Sequence, residues 1–518
     1  MENINLVTPN RNYLAIGILF VAYAALRIWR LTDSCLWFDE IFSVHAAEHS
    51  WGALLQFVAQ DLVHPPLFYV LLKAWIGAGG EGLFWLRLLP VSISLLAFVP
   101  FYFLCRELKI SSYALMLAGA FLAVNGALIK YSQTLRMYSL LMFLSLLSIW
   151  LFARYFNRGK NWIWLTLVNV LLIYTHYFGW LVVGSEVLAI LLFQRIKFGR
   201  AALMTAILCA SFVPWVFAIL SVDRTGSDLA QNIAWQTRPG LGEIVGFLLH
   251  LAEPFYSQTS NAQPVSILYV SLPILLLGII ATAMFLASEK SEDDLAAFRL
   301  LNVFAIFPFA VTFVLSWAMQ HSVWGARHLV FIIPIMLTMA AIAILGVPER
   351  RISLGIIVLI SALTAVGSWH EVIRPSPNYV WCAWEGIAKE IVEIDGPNAA
   401  SQIYTFESLA AYHLWFALRN DDGPSVRLIN GVDVRTNDEM YFLPRGFKGV
   451  GSIRVEEIDS DEFWLVFRTF RLGEEFPLME IFTRMGYSLC PPRQTLFETN
   501  NVFRMKFVRH AQACPVPH

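Results

Sequence analysis

The chain has 518 residues, of which 57% are hydrophobic and only 14% charged, where soluble proteins average about a quarter charged. A mean hydropathy of +0.59, with 39 Phe, 18 Trp and 17 Tyr, places most of the chain in lipid and excludes a compact soluble enzyme. The 37 basic and 38 acidic residues leave no basic surplus for nucleic acid phosphates, and the six cysteines form no C-x-x-C or Cys/His cluster.

The first apolar run, Tyr13 to Trp29, follows Arg11 and holds its only A-x-A pattern, Ala22 to Ala24, inside the run, so it reads as a retained span. Further runs cover residues 86–104, 113–128, 137–155, 162–176, 177–194, 201–221, 264–287, 300–319, 329–346 and 353–369, making eleven expected helices. The shortest need neighbouring residues, because crossing the hydrocarbon takes about 20 apolar residues. Residues 66–78 are too few to cross and carry Lys73, so they read as an interfacial helix. With that parity, Arg106 and Lys109, Arg154, Arg158 and Lys160, Arg195, Lys197 and Arg200, Lys290 and Arg299, and Arg350 and Arg351 share one side. The positive-inside rule makes that side cytoplasmic. The loops over 30–65, 129–136, 222–263 and 320–328 lie opposite, with the whole C-terminal segment, and the chemistry is expected there, at the outer face of a cell inner membrane.

After residue 370 polar and charged residues replace the apolar runs, which divides the chain into a membrane domain over 1–370 and a soluble, extracytoplasmic α/β domain over 371–518. Strand-like runs at 402–406, 425–429, 463–467 and 502–508 alternate there with helix-like stretches at 383–394 and 408–419. Cys382, Cys490 and Cys514 would sit in an oxidising space where a disulfide can form.

In the first outer loop, Trp37-Phe38-Asp39-Glu40 opens a helix-like stretch, and Trp51, Leu54, Leu55, Val58 and Leu62 mark a second, both expected on the membrane surface. By position alone, Asp39 and Glu40 read as helix-start acids favoured by the helix dipole. The segment Asp61-Leu62-Val63-His64-Pro65-Pro66 forces a turn that holds Asp61 and His64 near the lipid boundary. Between the third and fourth spans, Lys130, Tyr131, Arg136 and Tyr138 put cations where the topology rule disfavours them, as Arg327 and His328 do in the 320–328 loop. Such charges are interfacial anchors or phosphate ligands. His176 and Tyr177 sit at another outer helix end. In the 222–263 loop, Leu241, Ile244, Val245, Leu248 and Leu249 recur at helical spacing, so a mobile cover is expected, with Glu243, His250 and Glu253 on its polar side.

The ordered set Trp37-Phe38-Asp39-Glu40, His64-Pro65-Pro66-Leu67-Phe68-Tyr69, Arg87-Leu88-Leu89, Tyr131-Ser132-Gln133, Arg136-Met137-Tyr138 and Thr175-His176-Tyr177 resembles the integral-membrane GT-C glycosyltransferases. Within them it looks most like the bacterial branch similar to protein mannosyltransferases and the lipid A aminoarabinose transferase. The resemblance covers roughly residues 13–370. It implies a polyprenyl-phosphate sugar donor, transfer at the outer face to a lipid, glycan or protein hydroxyl, inversion at the anomeric carbon, and a first-loop carboxylate as general base. On that pattern Asp39 is the base, with Glu40 its reserve. Arg136 and Arg327, in short outer loops where the topology rule disfavours cations, are expected on the donor phosphate together with His64, Lys73 and Tyr138. Asp61, His176, Tyr177, Glu243 and His250 are the candidate acceptor contacts. Relatives often carry an acid just before the Arg-x-Tyr pair. Thr134 stands there in this chain, which argues against a divalent metal held by paired carboxylates and leaves no cofactor assigned. Asp61 or Glu40 would be the substitutes, or Arg136, Arg327 and Lys73 would neutralise the phosphate alone.

A transporter or flippase would need ionisable groups deep in several spans, and only Glu186 lies there. A polymerase or ligase acting on diphosphate-linked glycans should lack the ordered loops, and a membrane-anchored sensor has no use for eleven spans.

Overall fold

The computed structural model describes residues 9–193, 198–222, 236–254, 267–373, 382–396, 401–420, 424–430, 443–444, 447–468, 476–490, 494–497 and 502–509. The first helix, α1 (Pro9–Ile28), leads into three short ones, α2 (Phe38–Glu48), α3 (Trp51–Asp61) and α4 (Leu67–Gly79). The membrane part continues with α5 (Leu83–Glu107), α6 (Ser112–Val124), α7 (Gly126–Gln133), α8 (Tyr138–Arg158), α9 (Trp162–Thr175), α10 (Gly179–Phe193) and α11 (Phe198–Ser221). It closes with α12 (Leu241–Leu251), α13 (Leu272–Ala287), α14 (Glu292–Ala318), a 3-10 segment (Ala326–Ile332), α15 (Ile333–Leu345) and α16 (Arg350–Ile373).

Among the described residues, seven helical stretches are long and apolar enough to cross a membrane: Leu83–Glu107, Tyr138–Arg158, Gly199–Ser221, Tyr269–Ala287, Glu292–Ala318, Ala326–Leu345 and Arg350–His370. The other four expected spans fall on shorter apolar helices, Tyr13–Ile28, Ser112–Val124, Trp162–Thr175 and Gly179–Phe193. The expected run at 113–128 is divided by Asn125. The Asn125 side chain accepts from Leu128 N–H at 3.0 Å, capping α7, while its amide donates to His250 O and Leu251 O at 2.9 and 3.1 Å. Glu186, the one acid expected deep in a span, accepts from Ser148 Oγ at 2.6 Å and Asn169 Nδ2 at 2.7 Å, so its polarity is satisfied between neighbouring helices.

The chain then forms α17 (Ala383–Asp395), β1 (Gln402–Thr405), α18 (Ser408–Leu418), β2 (Ser425–Asn430), β3 (Gly451–Arg454), β4 (Glu462–Arg468), α19 (Phe476–Arg484), β5 (Tyr487–Leu489), β6 (Gln494–Phe497) and β7 (Val502–Arg509). The four expected strands and two expected helices are all present. The sheet order is β3-β2-β1-β4-β7-β5, with β6 also on β7, and β3-β2-β1-β4 parallel. Alternation fixes its two faces. Ile403, Trp464 and Val466 pack under α17 and α18, whereas Tyr404, Phe463, Leu465 and Phe467 pack on Phe482 and Phe507. Lys506 Nζ, on the interior strand β7, donates to Asp395 Oδ1 at 2.7 Å and ties the sheet to the end of α17.

This domain sits on the first outer loop. Cys35 and Cys382 are joined by a disulfide, and Arg419, just past α18, pairs with Glu48 of α2 at 2.8 Å and with Glu81 at 2.7 Å. Between them His45 Nδ1 shares a 2.9 Å hydrogen bond with Tyr412 OH, and its ring packs on Trp415 and Phe447. Cys490 is also disulfide-bonded, with a partner outside the described residues.

Candidate active site

Three residues of the second outer loop stitch it to the first. Helix α1 ends with carbonyls that no helical N–H can reach, and Gln133 Nε2 donates to two of this stretch, Arg27 O at 3.1 Å and Trp29 O at 2.9 Å. Two residues on, Leu135 N–H donates to Glu40 Oε1 at 2.7 Å. Arg136 follows and reaches across to α2.

The stitching separates the two adjacent acids. Glu40 is buried, at 1% exposure, and its Oε2 accepts from Trp37 N–H and Arg87 Nη2, each at 3.1 Å. Arg87 is equally buried and donates also to Leu31 O, Ser34 O and Cys35 O. With both oxygens occupied and no path to solvent, Glu40 is an ion-pair anchor, which corrects its expected place as the reserve base. Asp39 points outward. Its side chain is 22% exposed, and Oδ2 accepts from Arg327 Nη1 at 3.2 Å, while Oδ1 makes no hydrogen bond among the described residues.

Arg136 is fixed on four sides. Nη1 donates to Asp39 O at 3.0 Å, Ser43 Oγ at 3.2 Å and Tyr69 OH at 3.2 Å, and Nη2 donates to His64 Nδ1 at 3.2 Å. His64 is delivered by a backbone reversal at Leu62, whose φ of 63° ends α3, and by the two prolines that follow it. Its ring lies edge-on to His176 at 5.1 Å, and His176 lies 5.3 Å from His328. Burial, then the Arg136 charge, push the His64 imidazole well below its ordinary value, and burial followed by Arg136 and Arg327 brings His176 to about 3. Both rings are therefore neutral. Tyr138, at the start of α8, lies within electrostatic reach of Arg327, Arg136 and Asp39, and Asp61 within reach of Arg136 and Tyr69.

So Asp39, His64, Arg136, Tyr138, His176 and Arg327 converge, with Asp61 at the margin. Other expected contributors lie elsewhere. Lys73 Nζ donates to Ala47 O at 3.0 Å, at the C-terminal end of α2. Glu243 accepts from Gly240 N–H at 2.7 Å and caps its own helix. His250 Nδ1 pairs with Glu253 Oε2 at 2.9 Å, and Tyr177 OH accepts from Trp215 Nε1 at 3.3 Å. Of the cover expected over 222–263, residues 223–235 and 255–263 lie outside the described residues, and α12 is its described part.

The site contains two groups that sequence reasoning gave no role, Ser43 and Tyr69, together with His328, which it read only as an interfacial or phosphate-binding charge. Tyr69 stands at the end of the His-Pro-Pro-Leu-Phe-Tyr motif and His328 beside Arg327, so both were within the quoted segments. Ser43 is four residues past Asp39, one helical turn on. Among the described residues, those with metal-ligand spacing are His64, His176 and His328, whose ligand atoms all lie within 4.8 Å of one another.

An apolar cleft of about 450 Å³ lies alongside, lined by Phe121, Leu248, Leu251, Ile274, Phe298 and Met336, with Asn125 and Glu253 among its polar members. Glu253 is within electrostatic reach of Lys130, and Lys130 of Arg327, so cations link the cleft to the Asp39 site.

A crystal structure of ArnT from Cupriavidus metallidurans bound to undecaprenyl phosphate superposes over 96% of this chain and 98% of its own, at TM-score 0.58 and 12% identity. The fold is that of the GT-C glycosyltransferases. In sequence, a 174-residue stretch is 26% identical to human protein O-mannosyl-transferase 1, covering 28% of this chain and 22% of that protein's length. The chain thus matches about a fifth of the curated relative. The archaeal oligosaccharyltransferase AglB from Archaeoglobus fulgidus, in complex with an inhibitory peptide and a dolichol-phosphate, matches at TM-score 0.48 and 12% identity over 81% of this chain and 65% of its own, a resemblance too loose to argue from. No family model matches the chain.

Proposed function

We propose that the chain is a multi-pass membrane glycosyltransferase that moves a sugar from a polyprenyl-phosphate donor to an acceptor hydroxyl, with Asp39 as general base. The carrying observation is an outward, partly exposed carboxylate paired with Arg327, with Arg136 held on the backbone carbonyl of the same residue, while the neighbouring acid is sealed in. Asp39 Oδ1 takes the acceptor proton as the hydroxyl oxygen attacks the anomeric carbon. The bond from that carbon to the phosphate oxygen breaks on the opposite face, which inverts the centre, and the polyprenyl phosphate leaves with the electron pair. Arg327 and Arg136 stabilise the charge on the departing phosphate without a metal, while Lys130 lies on the way to the cleft that suits the isoprenoid chain. The bound undecaprenyl phosphate of ArnT supports the lipid-phosphate class.

The disulfides at Cys35, Cys382 and Cys490 support an oxidising, extracytoplasmic setting for the first loop and the C-terminal domain, residues 371–518, and hence transfer at the outer face of a cell inner membrane. Asp61, at the margin of the site, borders the acceptor side, where a lipid, glycan or protein hydroxyl would enter. Incubation of purified protein with a radiolabelled polyprenyl-phosphate sugar and extracted envelope acceptors tests the reading: label moving to an acceptor supports it, and label staying on the lipid under all acceptors contradicts it.

A further inference from the structure

The cluster of His64, His176 and His328 has the spacing of a metal site, yet its hydrogen bonds argue for a different ligand. A guanidinium can only donate. Arg136 Nη2, 3.2 Å from His64 Nδ1, therefore makes that nitrogen an acceptor, and the proton of the neutral ring sits on Nε2. The same holds for His176, whose Nδ1 accepts from Phe178 N–H at 3.0 Å. Both rings are buried, at 4% and 3% exposure, and both Nε2 atoms have no hydrogen-bond partner. Buried, unanswered N–H donors are costly and point to a missing acceptor.

A divalent cation needs a lone pair from each ligand nitrogen. His64 and His176 have already given theirs to N–H donors at Nδ1 and would have to lose the second proton or turn their rings over. Two guanidiniums, Arg136 and Arg327, stand close enough to repel it, and no carboxylate belongs to the cluster. The same features favour an anion: two buried Nε2–H groups without a partner, on rings whose centroids lie 5.1 Å apart, offer an oxygen two N–H donors.

We propose that His64 and His176 are fixed Nε2–H donors that hold an oxygen of the donor phosphate beside Arg136, so that the three-histidine cluster belongs to an anion site and not to a metal site. This rests on the lipid-phosphate reading of the preceding subsection. The arginines supply charge. The histidines, being neutral, supply direction, and they keep their donors at any working pH, so the phosphate is oriented without further positive charge that would hold the product too tightly.

Binding of undecaprenyl phosphate is measured for the purified full-length protein, for His176→Gln, which keeps an N–H near the Nε2 position, and for His176→Ala, with uncharged undecaprenol as control. Transition-metal content is measured on each preparation by mass spectrometry, and folding by monodispersity. The expected result is preference for the phosphate lipid, no stoichiometric metal, about tenfold weaker binding in His176→Ala, and recovery of most of that loss in His176→Gln. Stoichiometric zinc that both variants lose overturns the proposal in favour of a metal site. Wild-type preference for the phosphate lipid that His176→Ala leaves intact, or that His176→Gln weakens as much as His176→Ala, overturns the histidine assignment alone. A wild type that does not distinguish the two lipids overturns the lipid-phosphate reading itself.

Discussion

Asp39 Oδ2 accepts a hydrogen bond from Arg327 Nη1 at 3.2 Å, joining residues 288 positions apart in sequence at the meeting of two outer loops. Each side chain is 22% exposed, so the pair is open to a substrate. The Coulombic energy of such a partly hydrated pair is modest. Its use lies in orientation, since Arg327 holds one carboxylate oxygen and leaves the other for a proton.

The contrast with Glu40 gives the first test. Breaking a buried ion pair costs about 3–5 kcal/mol because it strands the remaining charge. Glu40→Ala is therefore expected to lower thermal stability in detergent by an amount of that size, through Arg87 and the stranded Leu135 N–H. Asp39→Ala is expected to leave stability within about 1 kcal/mol. Equal destabilisation by the two would contradict the division of roles.

Arg327 and Arg136 should differ in kind. Arg136 holds Ser43, Tyr69, His64 and the Asp39 carbonyl, so its removal unsettles the loops as well as the site. For Arg327→Ala the expected outcome is a well-folded protein with kcat/KM lower by about a hundredfold or more, as for loss of one transition-state donor. Arg327→Lys keeps the charge without the planar fork and should fall between. Steady-state kinetics beside a melting curve separate these cases, and unchanged kcat/KM in Arg327→Ala would make that residue an anchor only.

Docking of the C-terminal domain should weaken in acid. Burial, then the charges of His49 and Arg419, lower His45 from 6.5 to about 3 in the docked state. The undocked state takes up a proton near pH 6.5 that the docked state refuses, so this contribution is complete above pH 6.5 and is lost as pH falls toward 3. At pH 5 the loss is about 2 kcal/mol. Limited proteolysis across pH 5 to 8 is expected to show the domain released more readily at the acid end, and His45→Gln should flatten the profile. A wild-type profile already flat would exclude His45 as its source.

Reduction should act on the same contact. The Cys35–Cys382 bond joins segments 347 residues apart, and losing such a link typically costs about 2–4 kcal/mol. Cys35→Ser with Cys382→Ser is expected to lower the melting temperature, as reductant does for the wild type. If reductant leaves the wild-type melting curve unmoved, the bond contributes nothing to docking.

Much of this architecture was legible in the sequence because it follows from periodicity. The apolar runs became helices, the alternating runs became β1, β2, β4 and β7, and the motif loops came together around Asp39. The breaks were not legible: Asn125 divides a continuous apolar run because its side chain is recruited by α12, a tertiary event. Glu40 and Lys73 illustrate the same limit within the site. Adjacent acids at a helix start point roughly 100° apart, and which one meets Arg87 depends on a helix that sequence spacing does not locate. Lys73 marks residues 66–78 as interfacial, but its bond to Ala47 O at the end of α2 depends on how two helices pack, which sequence spacing does not locate. β3, β5, β6 and α19 are short and lack a periodic signal long enough to register. The Cys35–Cys382 bond crosses the two domains, where pairing within the C-terminal domain was the natural expectation.

The most direct measurement is single-turnover sugar transfer from a polyprenyl-phosphate donor by wild type and Asp39→Asn, with donor affinity determined in parallel. The amide keeps the volume and removes the basicity, so transfer is expected to fall by about a hundred- to ten-thousand-fold while the donor still binds. Near-normal transfer by Asp39→Asn would contradict the assignment of Asp39 as the base.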